Sequence, residues 1–231
     1  MDDLRDHLES ALGQTYSIDR ELLGGGMARV FLAEERTLKR PVVIKVLSPE
    51  MAVEVSADRF AREVQLAARL QHANIVPLLT AGDAGGIPFY TMPYVEGESL
   101  RQRITRGQIP ISDVVAILRD VTRALGYAHT RSVVHRDIKP DNVLLAGGAA
   151  IVTDFGIGKA LAVARSGLGS PGYANATDPS LATLTSVGSA LGTPAYMAPE
   201  QAAGDPASDQ RADFYSLGVM AYEMLAGALP F

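Results

Sequence analysis

Leu4, Leu8 and Leu12 recur at every fourth position of "MDDLRDHLESALGQTY", a spacing that predicts a short amphipathic helix with a packing or docking role. From Tyr16 to about Tyr94 the pattern changes to short extended runs around one helix. "YSIDRELLGGGMARVFLAEE" predicts two strands joined across a glycine-rich turn. "PVVIKVL" is apolar on both faces and predicts a central strand, and "GGIPFYTMPYV" supplies another extended run. Between them "SADRFAREVQLAARL" has helical spacing, with Phe60, Glu63, Ala67 and Leu70 on one stripe. Beyond Gly97 helices dominate. "DVVAILRDVTRALGYAHT" is amphipathic, whereas "RADFYSLGVMAYEMLAG" is apolar almost all the way round, so burial on every side is expected of it. The stretch 158–192 is rich in Ala, Gly, Ser and Thr, and a long aperiodic segment inside a compact domain is commonly functional or disordered.

The chain has 231 residues, 47% hydrophobic and 20% charged, enough apolar material for one large domain or two lobes. Its net charge of −5 argues against a nucleic-acid-binding surface, and no nucleic-acid partner is expected. With no cysteine, disulfides, thiolate metal sites and thiol nucleophiles are excluded. No run approaches the roughly 18 apolar residues of a membrane span. The N-terminus lacks the apolar core of a signal peptide, so a cytoplasmic location is expected.

Several charges sit where the hydrophobic pattern does not want them. Lys45 interrupts an apolar strand, and an unpartnered buried ammonium is costly. Glu63 lies on the apolar stripe of its helix and wants a cation. A Lys45–Glu63 pair solves both problems and leaves the ammonium free to hold an anion; alternatively, each side chain reaches solvent on its own stem. Gly24, Gly25 and Gly26 lie between two strands, where backbone N–H groups can approach phosphate oxygens, although glycines also mark plain hairpins. "VVHRDIKPDN" places His135, Arg136, Asp137, Lys139, Asp141 and Asn142 behind two valines. The following "NVLLAGGAAIVTDFG" reads as a hairpin turning at Gly147-Gly148, with Leu145 facing Ala150, Val143 facing Val152 and Asn142 facing Thr153. Asn142 and Asp154 then emerge at one end of the hairpin beside Asp137. One amide oxygen and one carboxylate, completed by phosphate oxygens and water, suit a hard cation such as Mg²⁺.

Taken together, these residues resemble the eukaryotic-like (Hanks-type) serine/threonine protein kinases of bacteria. "VVIK" resembles the lysine strand, Glu63 the glutamate of the helix behind it and "HRDIKPDN" the catalytic loop. Asp154-Phe155-Gly156 and Ala198-Pro199-Glu200 follow in the family's order. The resemblance implies an α+β bilobal fold, with a small antiparallel-sheet N-lobe carrying one main helix and a mostly helical C-lobe. The implied organisation is an N-terminal helical extension at 1–15, an N-lobe at 16–92, a hinge at 93–97 and a C-lobe at 98–231. The activation segment would occupy 154–200. ATP and Mg²⁺ are the implied cofactors. Proteins with serine or threonine acceptors, this protein among them, are the implied substrates.

Residue by residue, the resemblance makes Asp137 the group that orients or accepts the hydroxyl proton and Lys139 the stabiliser of the transferring phosphoryl. Asn142 and Asp154 would hold Mg²⁺, and Lys45, paired with Glu63, would grip the α/β-phosphates. Leu23 and the three glycines would cover the phosphates. Val30 and Leu144 would sandwich adenine, with Val43 above it and Met92 at its back. Pro93 would offer its carbonyl and Val95 its N–H. His135 and Phe155 would pack in an internal spine. Arg136 would meet a phosphate placed at Thr183, Thr185, Ser186 or Ser189, with Thr185 favoured by position. Thr193 would touch Asp137.

The chain departs from the family in places. In the G-x-G-x-x-G-x-V register the turn reads Leu23, Gly25, Ala28 and Val30, so only the central glycine is kept, and Val43 replaces the usual alanine. Helices that in the family cover "RADFYSLGVMAYEMLAG", and an arginine that pairs with Glu200, have no counterpart here, so a truncated C-lobe with exposed apolar surface is expected. The rival readings are a catalytically impaired pseudokinase or nucleotide-binding regulatory module, and a small-molecule phosphotransferase. The retained charged groups oppose the first, and "GTPAYMAPE" opposes the second.

Overall fold

The computed structural model describes residues 3–23, 28–47, 57–155, 194–205 and 207–231, and places them in two lobes. Helix α1 (Asp3–Leu12) leads into strands β1 (Tyr16–Leu23), β2 (Ala28–Glu35) and β3 (Arg40–Leu47). Helix α2 (Ala57–Ala67), β4 (Thr80–Ala84) and β5 (Ile87–Pro93) complete the first lobe. Its five strands form an antiparallel sheet in the order β1-β2-β3-β5-β4. β3 is thus central, as its two-faced apolar pattern requires: Val42, Val43, Ile44, Val46 and Leu47 are all buried.

Strand alternation divides this sheet into two faces. Val42, Ile44, Val46 and Phe89 join Leu4, Leu8, Leu12, Tyr16, Ile18 and Phe31 in one core, so α1 covers the outer face of the lobe with the leucine stripe seen in its sequence. The ring Nε2–H of His7 donates to the Ala84 carbonyl at 2.8 Å and fixes the helix against the β4–β5 turn. Gly85 in that turn has φ +63°, and a Cβ there would lie 2.7 Å from the His7 ring, so both backbone and space demand glycine. The opposite face, carrying Val43, Lys45, Tyr90 and Met92, looks into the cleft between the lobes.

On α2, Phe60, Val64 and Ala67 are buried, followed by Leu70. Val64 takes the stripe position that the sequence pattern assigns to Glu63, and Glu63 sits half-buried at its margin.

Residues 94–97 connect β5 to the second lobe. There Gly97 passes so close to β7 (Val143–Ala146) that a Cβ would stand 2.2 Å from the Leu145 carbonyl oxygen. A two-residue strand, β6 (Glu98–Ser99), pairs with β7, which pairs in turn with β8 (Ala149–Val152). The register Val143↔Val152, Leu144↔Ile151, Leu145↔Ala150 is the one the Gly147-Gly148 turn predicts. Helix α3 (Leu100–Thr105) begins in a capping box, with Ser99 Oγ accepting from Gln102 N–H and the Gln102 side chain accepting from Ser99 N–H.

The second core is organised on helix α4 (Ile111–His129), whose buried face is Val114, Ile117, Val121, Ala124, Leu125 and Ala128. These pack with Leu100, Ile138, Val143, Val152 and Phe155, and with Val219, Met220 and Met224 of α6 (Arg211–Ala226). A single turn, α5 (Pro199–Ala202), precedes α6. Only one side of α6 is covered. Phe214, Tyr222 and Leu225 are about half exposed, the exposed apolar surface that the sequence leads one to expect on this helix. Among the described residues no helix is long and apolar enough to cross a membrane.

Leu8 is fully buried between α1 and the sheet. Leu8→Ala is expected to lower unfolding free energy by about 2–5 kcal/mol in a urea titration; a change below about 1 kcal/mol would mean that α1 does not contribute to this core.

Candidate active site

The loop from Val133 to Asn142 is held by a carboxylate from another helix. Asp213, in the first turn of α6 and without exposed surface, accepts the backbone N–H of His135 at 2.9 Å and of Arg136 at 2.7 Å. His129 Nε2 donates to it at 2.8 Å. Burial works to raise the Asp213 carboxyl, but the His129 bond, the nearby His135 and the two backbone donors outweigh it and hold the group below the usual carboxylate value. Arg136 can therefore keep φ +65°, a left-handed conformation that an ordinary side chain avoids.

His135 is fully buried, with Nδ1 accepting from Asp137 N–H at 3.2 Å and Nε2 donating to the Thr153 carbonyl at 2.8 Å. Those two bonds fix the orientation of the ring. Its edge meets Phe155, with centroids 4.7 Å apart.

From this frame the polar groups converge. Lys139 Nζ lies 2.8 Å and 3.1 Å from the two Asp137 carboxylate oxygens. Asn142 Nδ2 donates to the Asp137 carbonyl at 2.7 Å and to its carboxylate at 3.0 Å. The Asn142 amide oxygen is thereby left for another partner. Thr153 N–H bonds the Asn142 carbonyl at 3.0 Å and carries the hairpin pairing directly to Asp154.

At Asp154, Lys45 Nζ reaches Oδ2 at 2.8 Å and the Tyr90 hydroxyl donates to Oδ1 at 2.8 Å. Burial would raise this carboxyl, yet the Lys45 charge and bond, then the Tyr90 bond, keep it lowered. The Tyr90 phenol is pushed well above its ordinary value by burial and by the Asp154 charge, so it remains a neutral donor.

The expected Lys45–Glu63 pair is not formed. Lys45 pairs with Asp154 instead, and Glu63 has no ion pair among the described residues. The physical reason is burial: the Lys45 and Asp154 side chains are only 21% and 14% exposed, so these two charges have the most to lose unpaired, whereas half-buried Glu63 keeps its water.

Beside these charges is an apolar cluster. Val43, Val76 and Met92 form its buried base, with Leu22, Val30, Tyr94, Val95, Leu144 and Ile151 packed around them. The structure brings together Val30, Val43, Met92, Val95 and Leu144, which the sequence reading grouped; Leu22, Val76, Tyr94 and Ile151 were not in that group. Pro93 ends β5. The Leu23 side chain, Gly24, Gly25, Gly26, Gly156, Thr183, Thr185, Ser186, Ser189 and Thr193 lie outside the described residues.

Sequence reading also missed a polar node. Arg101 of α3 donates to Glu223 of α6 at 2.6 Å and to the Tyr196 hydroxyl at 2.5 Å, and Tyr196 closes the ring by donating to Glu223. Burial and the Glu223 bond push the Tyr196 phenol up to about 12. The available signal was Glu223 itself, a carboxylate inside an apolar helix. Glu200 has no ion pair among the described residues.

An antiparallel N-lobe, a helical second lobe and a cleft where Lys45, Asp137, Asn142 and Asp154 meet define the protein-kinase class. The protein kinase domain model matches residues 16–231, and the chain belongs to that family. Among curated relatives it is 39% identical over 219 residues to serine/threonine-protein kinase PrkC of Bacillus subtilis, covering 94% of this chain and 31% of the relative. It is 38% identical over 231 residues to serine/threonine-protein kinase PknL of Mycobacterium tuberculosis, covering 98% and 53% respectively. The chain thus spans 31% and 53% of those two relatives' lengths. Of solved structures, the Mycobacterium tuberculosis PknI kinase domain superposes with a TM-score of 0.70 at 32% identity, covering 94% of this chain and 76% of the other. Rad53 1–466 in complex with AMP-PNP superposes with a TM-score of 0.72 at 25% identity, covering 99% and 53%.

Because the folded Asp213 pKa is depressed, its contribution to stability is complete above the unfolded value near 4 and is lost as pH falls through the lower folded value. Asp213→Asn should cost about 2–3 kcal/mol at pH 7 and flatten the acid limb of a stability–pH curve. Parallel curves for the two proteins would overturn that assignment.

Proposed function

We propose that the protein transfers the γ-phosphoryl group of ATP to serine and threonine hydroxyls of proteins, itself included, in a Mg²⁺-dependent reaction in the cytoplasm. The observation that carries this reading is the cluster of Asp137, Lys139 and Asn142, together with an apolar cluster and a second carboxylate, Asp154, that is paired with Lys45. The names of the relatives support serine and threonine as acceptors.

The cluster supplies aliphatic side chains suited to the faces of a purine, which Val30 and Leu144 would sandwich while Pro93 and Val95 would offer backbone polar groups to its edge. Asp137, half-exposed and braced by Asn142, is placed to orient an acceptor hydroxyl and take its proton. Lys139, 2.8 Å from that carboxylate, brings positive charge to the oxygens of the phosphoryl in transit. Lys45 is the ammonium available for the α/β-phosphates.

The donor set fits a hard divalent cation. Asn142 offers an amide oxygen, and each Asp154 oxygen keeps a lone pair after its one hydrogen bond. Phosphate and water oxygens would complete the coordination of such a cation. When bound there, Mg²⁺ would neutralise charge on the β- and γ-phosphate oxygens.

Control by phosphorylation is part of the proposal. Arg136 has no carboxylate partner among the described residues, and a phosphate at Thr185, or at Thr183, Ser186 or Ser189, would supply one.

The deciding experiment is transfer of labelled γ-phosphate from Mg²⁺-ATP to the protein and to a generic basic protein. Asp137→Ala should reduce the rate by about 10²–10⁴-fold while leaving nucleotide binding in place. ATP binding without transfer in the unaltered protein would favour the pseudokinase reading. In the same samples, phosphosite mapping should find label at Thr185; fully active protein without label between residues 156 and 193 would remove the regulatory part.

A further inference from the structure

We propose that Tyr90 is a positioning residue for Asp154, and that its hydroxyl sets how tightly the cleft takes up a divalent cation. The inference rests on the proposed metal-binding role of Asp154 and adds to it a residue outside the motifs.

Tyr90 and Lys45 are register partners on β5 and β3, side by side on the cleft face. They approach the same carboxylate and divide it, the ammonium on Oδ2 and the phenol on Oδ1, each at 2.8 Å. The two donors differ in their other obligations. Lys45 is a charged, flexible side chain that also faces the cleft, where phosphates compete for it. Tyr90 is only 1% exposed and has no other hydrogen-bond partner among the described residues, so its donor is committed to Asp154. When Lys45 turns toward an anion, the phenol is the bond that still fixes the carboxylate.

Asp154 needs such a bond. Its backbone has φ +67°, a left-handed conformation that non-glycine residues keep only where surrounding contacts over-determine it. Packing alone does not account for the hydroxyl, because an apolar side chain of similar size would fill a fully buried position on this face. A hydrogen bond from the interior onto one lone pair of each oxygen leaves the remaining lone pairs for a cation on the cleft side. Partners of this kind orient metal-ligating carboxylates, and their loss typically weakens metal affinity 10–100-fold.

The test is a Mg²⁺ titration of fluorescent-nucleotide binding to the protein and to Tyr90→Phe, with the same nucleotide measured in EDTA. Tyr90→Phe should raise the Mg²⁺ midpoint about 10-fold or more and leave metal-free nucleotide affinity unchanged. Tyr90→Met, which replaces the ring with a flexible apolar chain, should shift it likewise and serves if the phenylalanine variant does not fold. Asp154→Asn marks the limit of a site without its carboxylate. An unchanged midpoint in a folded variant would overturn the proposal, as would equal losses of metal-free and Mg²⁺-dependent affinity. No Mg²⁺ dependence in the unaltered protein would instead overturn the metal-binding role of Asp154, and the Tyr90 inference with it.

Discussion

An ionised carboxylate with no exposed surface is tolerable only if donors surround it, and Asp213 is the point from which the loop carrying Asp137 is hung. Two of its three donors are consecutive backbone N–H groups of the loop carrying Asp137, so the loop's path is dictated by α6 rather than by its own preferences. The left-handed Arg136 is a consequence of that path. Removing the carboxylate would leave two buried amides unsatisfied at the turn that aims His135 inward and Asp137 outward. His135 then passes the constraint on, because its ring bridges Asp137 N–H and the Thr153 carbonyl and so ties the loop to the strand leading into Asp154. One buried charge thus coordinates both halves of the polar cluster.

The second buried charge system joins the lobes. Lys45 comes from the central strand of the sheet and Asp154 from the end of the β7–β8 hairpin, so their pairing is also a contact across the cleft. In a site of low dielectric, breaking such a pair without replacement is expensive, of order 3–5 kcal/mol. Under the proposed function an arriving polyphosphate would offer replacement, taking the ammonium while a cation takes the carboxylate, so the pair would be exchangeable on nucleotide binding. Glu63, half-buried on α2, lies outside this exchange in the present arrangement.

Much of this was legible in the sequence because it depends on local periodicity. The leucine stripe of α1, the two-faced β3 and the Gly147-Gly148 hairpin register follow from spacings of four and two, and the hairpin register alone brings Asn142 and Asp154 to one end. What periodicity does not encode is which remote charge a buried charge will choose. Lys45 demanded an anion, and a carboxylate on an apolar stripe was a reasonable candidate, but the choice was settled by relative burial in the assembled cleft. Tyr90 was obscured for a related reason. Tyrosine suits a strand as well as any residue, so nothing marks its hydroxyl until the sheet faces and the position of Asp154 are known. Glu223 was overlooked in a helix read as wholly apolar, whose outer side proves to be exposed.

Lys45, Asp120, Asp213 and Glu223 share one property: each is a charge inside an otherwise apolar segment, and each binds a group far away along the chain. Their partners are Asp154, the Ala150 N–H, the His135 and Arg136 N–H groups, and Arg101, at separations of 109, 30, 78, 77 and 122 residues. Apolar contacts among these segments could be made in many slightly displaced ways at little cost, since methyl groups accept almost any neighbour. A buried charge accepts few, because a misplaced partner leaves the desolvation penalty uncompensated. Such interruptions therefore select one arrangement of helices and strands from the set that hydrophobic burial alone would permit. They do so on the elements that carry Asp137, Asn142 and Asp154, so the same bonds that make the fold specific also hold the candidate site in register.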